Sequence, residues 1–102
     1  MKSAKNIHFL GIAGTAMGSI AVMAANSGFR VTGSDNAVYP PMSNYLDKEN
    51  IRFYNGYNAE NLSHDIDLVI VGNAISRGNL ELEEVLNRRI AYCSLAEFLR
   101  FY

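Results

Sequence analysis

The sequence lacks most of what marks a specialised class of protein. It has a single cysteine, Cys93, so no internal disulfide can form, and that side chain is expected to pack as a small hydrophobe. It has no basic excess. The net charge of −1 argues against a nucleic-acid partner, which a surplus of Lys and Arg would serve. No apolar run approaches the roughly 18 residues of a membrane span. The basic start, Met1-Lys2-Ser3-Ala4-Lys5, leads into a short strand pattern and glycines, not the apolar stretch and cleavage site of a signal peptide. A cytoplasmic location fits these absences. There is no internal repeat or low-complexity stretch. No Ser/His/Asp set, paired-carboxylate site or metal-ligand spacing stands out, so no catalytic residue and no metal ligand is assigned. No Gly-Lys-Ser/Thr follows the glycines, which excludes a Walker loop.

What is present fits one domain. The 102 residues can bury a single modest core, and nearly half of them are hydrophobic. The end of the chain, Phe98-Leu99-Arg100-Phe101-Tyr102, is apolar where a free terminus is usually polar. The expectation is an N-terminal piece of a longer protein, against the alternative of a small protein whose last helix docks on its sheet.

Strand and helix patterns alternate. Asn6–Leu10 reads as a buried strand and Thr15–Ser27 as a helix, with Gly14, Gly18, Ala21 and Ala25 forming a small-residue stripe that allows close approach to a sheet. Gly28 ends that helix. Phe29–Gly33 is the second strand, and Pro40-Pro41 opens a helix through Glu49. Ile51–Phe53 is the third strand. Asp67–Val71 is the fourth, its unbroken Leu68-Val69-Ile70-Val71 covered on both faces. A helix over Leu80–Arg88 turns Leu82, Val85 and Leu86 inward. Ile90–Tyr92 is a fifth strand, and Ser94 caps a last helix. Such alternation predicts an α/β, Rossmann-like fold: a parallel sheet of about five strands, order 3-2-1-4-5, with helices on both faces.

In such a sheet, ligands bind off the carboxyl ends of the strands, where the order reverses. That places the site on the loops after strands 1, 2 and 4. The first reads Gly11-Ile12-Ala13-Gly14-Thr15-Ala16-Met17-Gly18, between a strand and a helix. Its backbone N–H groups and the helix N-terminus, worth about half a positive charge, suit a phosphate. A dinucleotide fingerprint would need glycines at 11, 13 and 16; here Ala13 and Ala16 stand at the second and third. A strict NAD loop is disfavoured, though an alanine variant stays open. Asp35 ends strand 2 where an acidic residue meets ribose hydroxyls, or is a turn residue of Ser34-Asp35-Asn36. After strand 4, Asn73 can pair with a base or sugar edge, and Arg77 either reaches a phosphate or is a solvated loop charge. Asn79 can cap the next helix. His8 reads as a packed, satisfied strand histidine and His64 as solvated. Tyr54, Tyr57 and Tyr92 read as covers at sheet edges.

These residues resemble the opening of the Mur ligases, ATP-dependent enzymes of bacterial peptidoglycan assembly. The resemblance runs through Ile7–Gly18, Val31-Thr32-Gly33-Ser34-Asp35 and Asn73-Ala74-Ile75-Ser76 with Asn79, and covers nearly the whole chain. Tyr39-Pro40-Pro41-Met42-Ser43 and Gly72–Asn79 are similar to the peptide-ligase branch, which joins UDP-N-acetylmuramate to the recycled tripeptide L-alanyl-γ-D-glutamyl-meso-diaminopimelate. The branch that adds L-alanine usually has glycine where Ala13 and Ala16 stand here, and is the alternative.

The resemblance implies an N-terminal domain, residues 1–102, that binds the UDP moiety, followed in the same chain by an ATPase domain carrying a Walker-type loop and Mg2+, and by a third domain that closes over the peptide. It implies that Gly11, Ala13, Gly14, Thr15, Ala16, Met17, Gly18, Ser34, Asp35, Asn73, Ala74 and Arg77 contact UDP, with no cofactor in this domain and no activity from it alone. From other classes, a nicotinamide-dependent oxidoreductase domain and a nucleotide-sensing module remain.

Overall fold

In the computed structural model, which describes residues 5–102, five parallel strands form one sheet in the order β3-β2-β1-β4-β5. The strands are β1 (Asn6–Leu10), β2 (Arg30–Asp35), β3 (Arg52–Asn55), β4 (Leu68–Val71) and β5 (Tyr92–Ser94). Between and after them run α1 (Thr15–Asn26), α2 (Met42–Lys48), a 3-10 turn (Ala59–Asn61), α3 (Leu80–Arg88) and α4 (Leu95–Phe101). Met1, Lys2, Ser3 and Ala4 of the basic start lie outside the described residues. No helix among those described is long and apolar enough to cross a membrane.

Period-two alternation in the central strands sorts the core onto two faces. Ile7 and Phe9 of β1, with Leu68 and Ile70 of β4, pack against α1 residues Met17, Ala21 and Val22 and against Phe98 of α4. Leu10 and Val69 point the other way, into a second cluster with Leu62, Leu82 and Val85. Strands covered on both faces must be apolar throughout, which is why β4 reads as an unbroken Leu-Val-Ile-Val. His8 is the exception, and it is fully buried.

Several boundaries differ from the sequence reading; β2 runs Arg30–Asp35, not Phe29–Gly33, and β4 begins at Leu68, not Asp67. The fifth strand is Tyr92–Ser94, not Ile90–Tyr92. Arg89 adopts a left-handed conformation (φ 54°) that closes α3, and the N–H of Ile90 returns to the Val85 carbonyl, so Ile90 belongs to the helix terminus. The third strand runs Arg52–Asn55, with Ile51 instead tied to the end of α2 through the Leu46 carbonyl. The final helix does dock on the sheet. Phe98 meets Phe9 and Phe29 edge-on and stacks on Tyr102 at 4.9 Å, while Leu99 and Phe101 stay exposed. Ser94 begins it with a complete capping box to Glu97.

Candidate functional site: a cleft at the carboxyl ends of the strands

A cleft of about 710 Å³ opens where the strand order reverses between β1 and β4. Its walls are Gly11, Gly14 and Met17 after β1, Asp35 and Asn36 after β2, Tyr57 after β3, and Gly72–Ser76 with Asn79 and Leu80 after β4.

The glycine loop is built backward from its first residue. Gly11 has φ of +91°, a conformation L side chains rarely adopt, and this turns the chain off β1. Its N–H and that of Ile12 both go to the Ser34 carbonyl, at 2.8 and 3.1 Å. The Ala13 N–H donates to Asp35 Oδ2 at 2.9 Å, and Gly14 N–H to the Gly11 carbonyl at 3.2 Å. Gly14 is the N-cap of α1, with ordinary extended dihedrals (φ −63°, ψ 140°) and no side chain to cap the helix. The next backbone amide with a carbonyl acceptor is Gly18, bonded to Gly14. The amides of Thr15, Ala16 and Met17 therefore open the first turn of α1 without a backbone acceptor, as a helix N-terminus requires.

Asp35 has a second oxygen on Asn36 N–H, at 2.8 Å. This carboxylate, expected either at ribose hydroxyls or in a turn, lines the cleft and also holds the glycine loop. Tyr57 stands beside it. Burial, then the negative charges of Asp35 and Glu81, push the tyrosine hydroxyl up to about 12, so it stays protonated as a donor.

Other sequence-derived candidates lie off the cleft wall. Ser34 is fully buried, its hydroxyl 3.1 Å from His8 Nε2, because it alternates inward on β2. Gly18 is buried under Met42. Arg77 turns outward and forms two hydrogen bonds with Glu83, at 2.7 and 3.0 Å; Gly78 N–H joins the same carboxylate. This is the solvated-charge alternative, and it arises because Glu83 sits in the first turn of α3, within reach of the loop. Asn73 and Ala74 do line the cleft. Asn79 caps α3, its side-chain oxygen accepting from Glu81 and Leu82 N–H at 2.9 and 3.1 Å.

Tyr57, Asn79 and Leu80 line the cleft from outside the three loops that the strand-end rule picks. The strand-end rule that found the other loops applies equally to Gly56-Tyr57, directly beyond β3, and would have found this tyrosine.

An open parallel sheet, a glycine turn feeding a helix N-terminus at the reversal point, and a cleft above it make up an α/β, Rossmann-like domain. Residues 6–101 match the family model described as "Mur ligase family, catalytic domain". The chain belongs to the Mur ligase family. It is 50% identical over 93 residues to the UDP-N-acetylmuramate–L-alanyl-γ-D-glutamyl-meso-2,6-diaminoheptandioate ligase of Escherichia coli, covering 91% of this chain and 20% of that protein. It is 38% identical over 95 residues to the UDP-N-acetylmuramate–L-alanine ligase of Clostridium novyi, covering 93% and 20%. Among solved structures, a murein peptide ligase of Psychrobacter arcticus superposes with a TM-score of 0.89 at 44% identity, over 93% of this chain and 20% of that one. The chain thus spans about a fifth of the length of the curated relatives it matches.

Proposed function

We propose that this chain binds the UDP part of UDP-N-acetylmuramate within a cytoplasmic, ATP-dependent ligase that joins that sugar nucleotide to L-alanyl-γ-D-glutamyl-meso-diaminopimelate. The observation that carries the reading is the start of α1 at the cleft, where Gly14 and Met17 line the wall and the amides of Thr15, Ala16 and Met17 have no acceptor among the described residues. A diphosphate supplies the oxygen acceptors these amides lack, and the helix dipole favours its charge. Asn73 and Ser76 provide hydrogen-bonding groups for a base or sugar, and Leu80 an exposed apolar surface on the cleft wall. The names of the relatives support the choice of sugar nucleotide, and the higher identity to the tripeptide ligases supports that branch over the L-alanine branch. The ATP, Mg2+ and peptide sites belong, on the family resemblance, to further domains of such a ligase.

The dinucleotide reading is disfavoured at the glycine loop, where Ala13 and Ala16 stand at the second and third glycine positions of its fingerprint. Calorimetry with UDP-N-acetylmuramate, UDP and NAD tests the proposal. Both uridine ligands should bind more tightly than NAD; an NAD affinity above that of the sugar nucleotide sinks it.

A further inference from the structure

Glu81, the second residue of α3, is 0% exposed, and so is His8 at the centre of β1. An ionised carboxylate is costly to bury unless its oxygens are paired. Here both are. Oε1 accepts from His8 Nε2 at 2.7 Å. Oε2 accepts from the Asn61 side-chain amide at 2.7 Å and from the Asn58 N–H at 3.1 Å. A carboxylate can only accept, so Nε2 carries the proton, and the ring is held from its far side by Thr32 Oγ1, 2.7 Å from Nδ1. Burial alone would raise the Glu81 carboxyl, but the hydrogen bonds from His8 and Asn61 outweigh it and hold the group below its ordinary range.

The partners come from different walls of the cleft. Glu81 follows Asn79 and Leu80, which line the β4 side. Asn58 follows Tyr57, which lines the β3 side. His8 and Ser34 sit beneath the glycine loop, whose first two amides end on the Ser34 carbonyl. One side chain therefore ties both walls to the floor. An apolar residue could fill the space at lower electrostatic cost, but it would leave the Asn58 N–H without an acceptor, would leave His8 Nε2 and Asn61 only their bonds to Ser34 and Gly56, and would not fix the separation of the walls.

We infer that Glu81 is a positioning residue for the cleft: by gripping His8, Asn58 and Asn61 it sets the gap between the Tyr57 wall and the Asn79–Leu80 wall, and with it the fit of the bound nucleotide. The inference about fit rests on the UDP-sugar reading above; the grip itself does not.

Glu81→Gln keeps the shape but makes one terminal atom a donor, so that either it faces the donors at Asn58 and Asn61, or His8 must turn to its other tautomer and accept at Nε2. The expected result is a folded chain with a cooperative melt, faster amide exchange at Asn58, shifted Tyr57 and Leu80 amide resonances, and a dissociation constant for UDP-N-acetylmuramate raised roughly tenfold. Asn61→Ala, which leaves the His8–Glu81 pair in place, is the second variant should Glu81→Gln not fold, and should shift the same resonances and weaken binding in the same direction. Unchanged Asn58 exchange and unchanged affinity in a folded variant overturn the inference. A wild-type chain that ignores UDP-N-acetylmuramate, while either variant still shifts Tyr57 and Leu80, removes the ligand reading and the fit that depends on it but keeps Glu81 as the grip on the two walls.

Discussion

At Gly14 an added side chain tests the diphosphate cradle without testing the fold. The residue is exposed, lines the cleft and has φ of −63°. A Cβ there meets the Gly11 carbonyl at 3.5 Å and Met17 at 3.8 Å, which is ordinary contact. Gly14→Val should therefore stay folded, losing about 1 kcal/mol because valine is a poorer N-cap than glycine. It should weaken UDP-sugar binding by at least about tenfold, roughly 1.4 kcal/mol, because the branched side chain lies beside the first turn of α1. Normal affinity in calorimetry would move the diphosphate off this loop. On adding UDP, the Thr15, Ala16 and Met17 amides should shift more than Ala13, whose N–H is already held by Asp35. Asp35→Ala should in turn cost about 1–2 kcal/mol of stability in denaturant titration, since it strips a charged acceptor from the Ala13 and Asn36 amides. A variant as stable as the parent would show that this carboxylate does not hold the loop. The Glu81 carboxyl gives a pH signature. Its folded value is depressed below 4.5, so its contribution is present above that pH and is lost as pH falls through the folded value. As pH falls below the ordinary carboxylate range, melting temperature should drop more steeply for the parent than for Glu81→Gln; parallel curves would contradict a paired, ionised Glu81.

Among the elements, β2 and the glycine loop depend on one close approach. A Cβ on Gly33 would lie 2.3 Å from Ile12 Cδ1 and 2.7 Å from Ile12 Cβ. The second of these is not a flexible side-chain tip, so the loop itself must shift. Gly33→Ala should cost about 1–3 kcal/mol and displace Ile12 and Ala13, read as lost stability and as changed amide shifts in the absence of ligand. A neutral melt with unchanged loop resonances would show that Ile12 is free to move. The sequence marks Gly33 only as part of a strand and a motif. Its reason, the Ile12 side chain packed over β2, is a contact between segments that no local pattern records.

The molecule as a whole presents a cleft at the strand ends and, in its sequence, no Gly-Lys-Ser/Thr loop. The 102-residue chain should therefore neither hydrolyse ATP nor form an amide bond from UDP-N-acetylmuramate and the tripeptide. Turnover by the purified chain above that of a Gly14→Val control would contradict the assignment of chemistry to further domains. Much at this scale was legible in advance. Strand alternation and the rule of right-handed crossovers lead to the 3-2-1-4-5 order, which the structure has, and the strand-end rule leads to the loops that line the cleft. Those features depend on neighbours in sequence: an apolar run, a glycine turn, a helix start. What only the tertiary structure decided depends on distance in space. Asp35 and Ala13 are 22 residues apart and His8 and Glu81 are 73 apart, and hydrogen bonds give each its role. Arg77 carries its charge outward because Glu83, six residues on, takes both guanidinium bonds. Residue type told which groups could bond; the packing of α3 and the 3-10 turn onto the sheet settled which of them meet, because a buried polar group must find its partner wherever the fold places one.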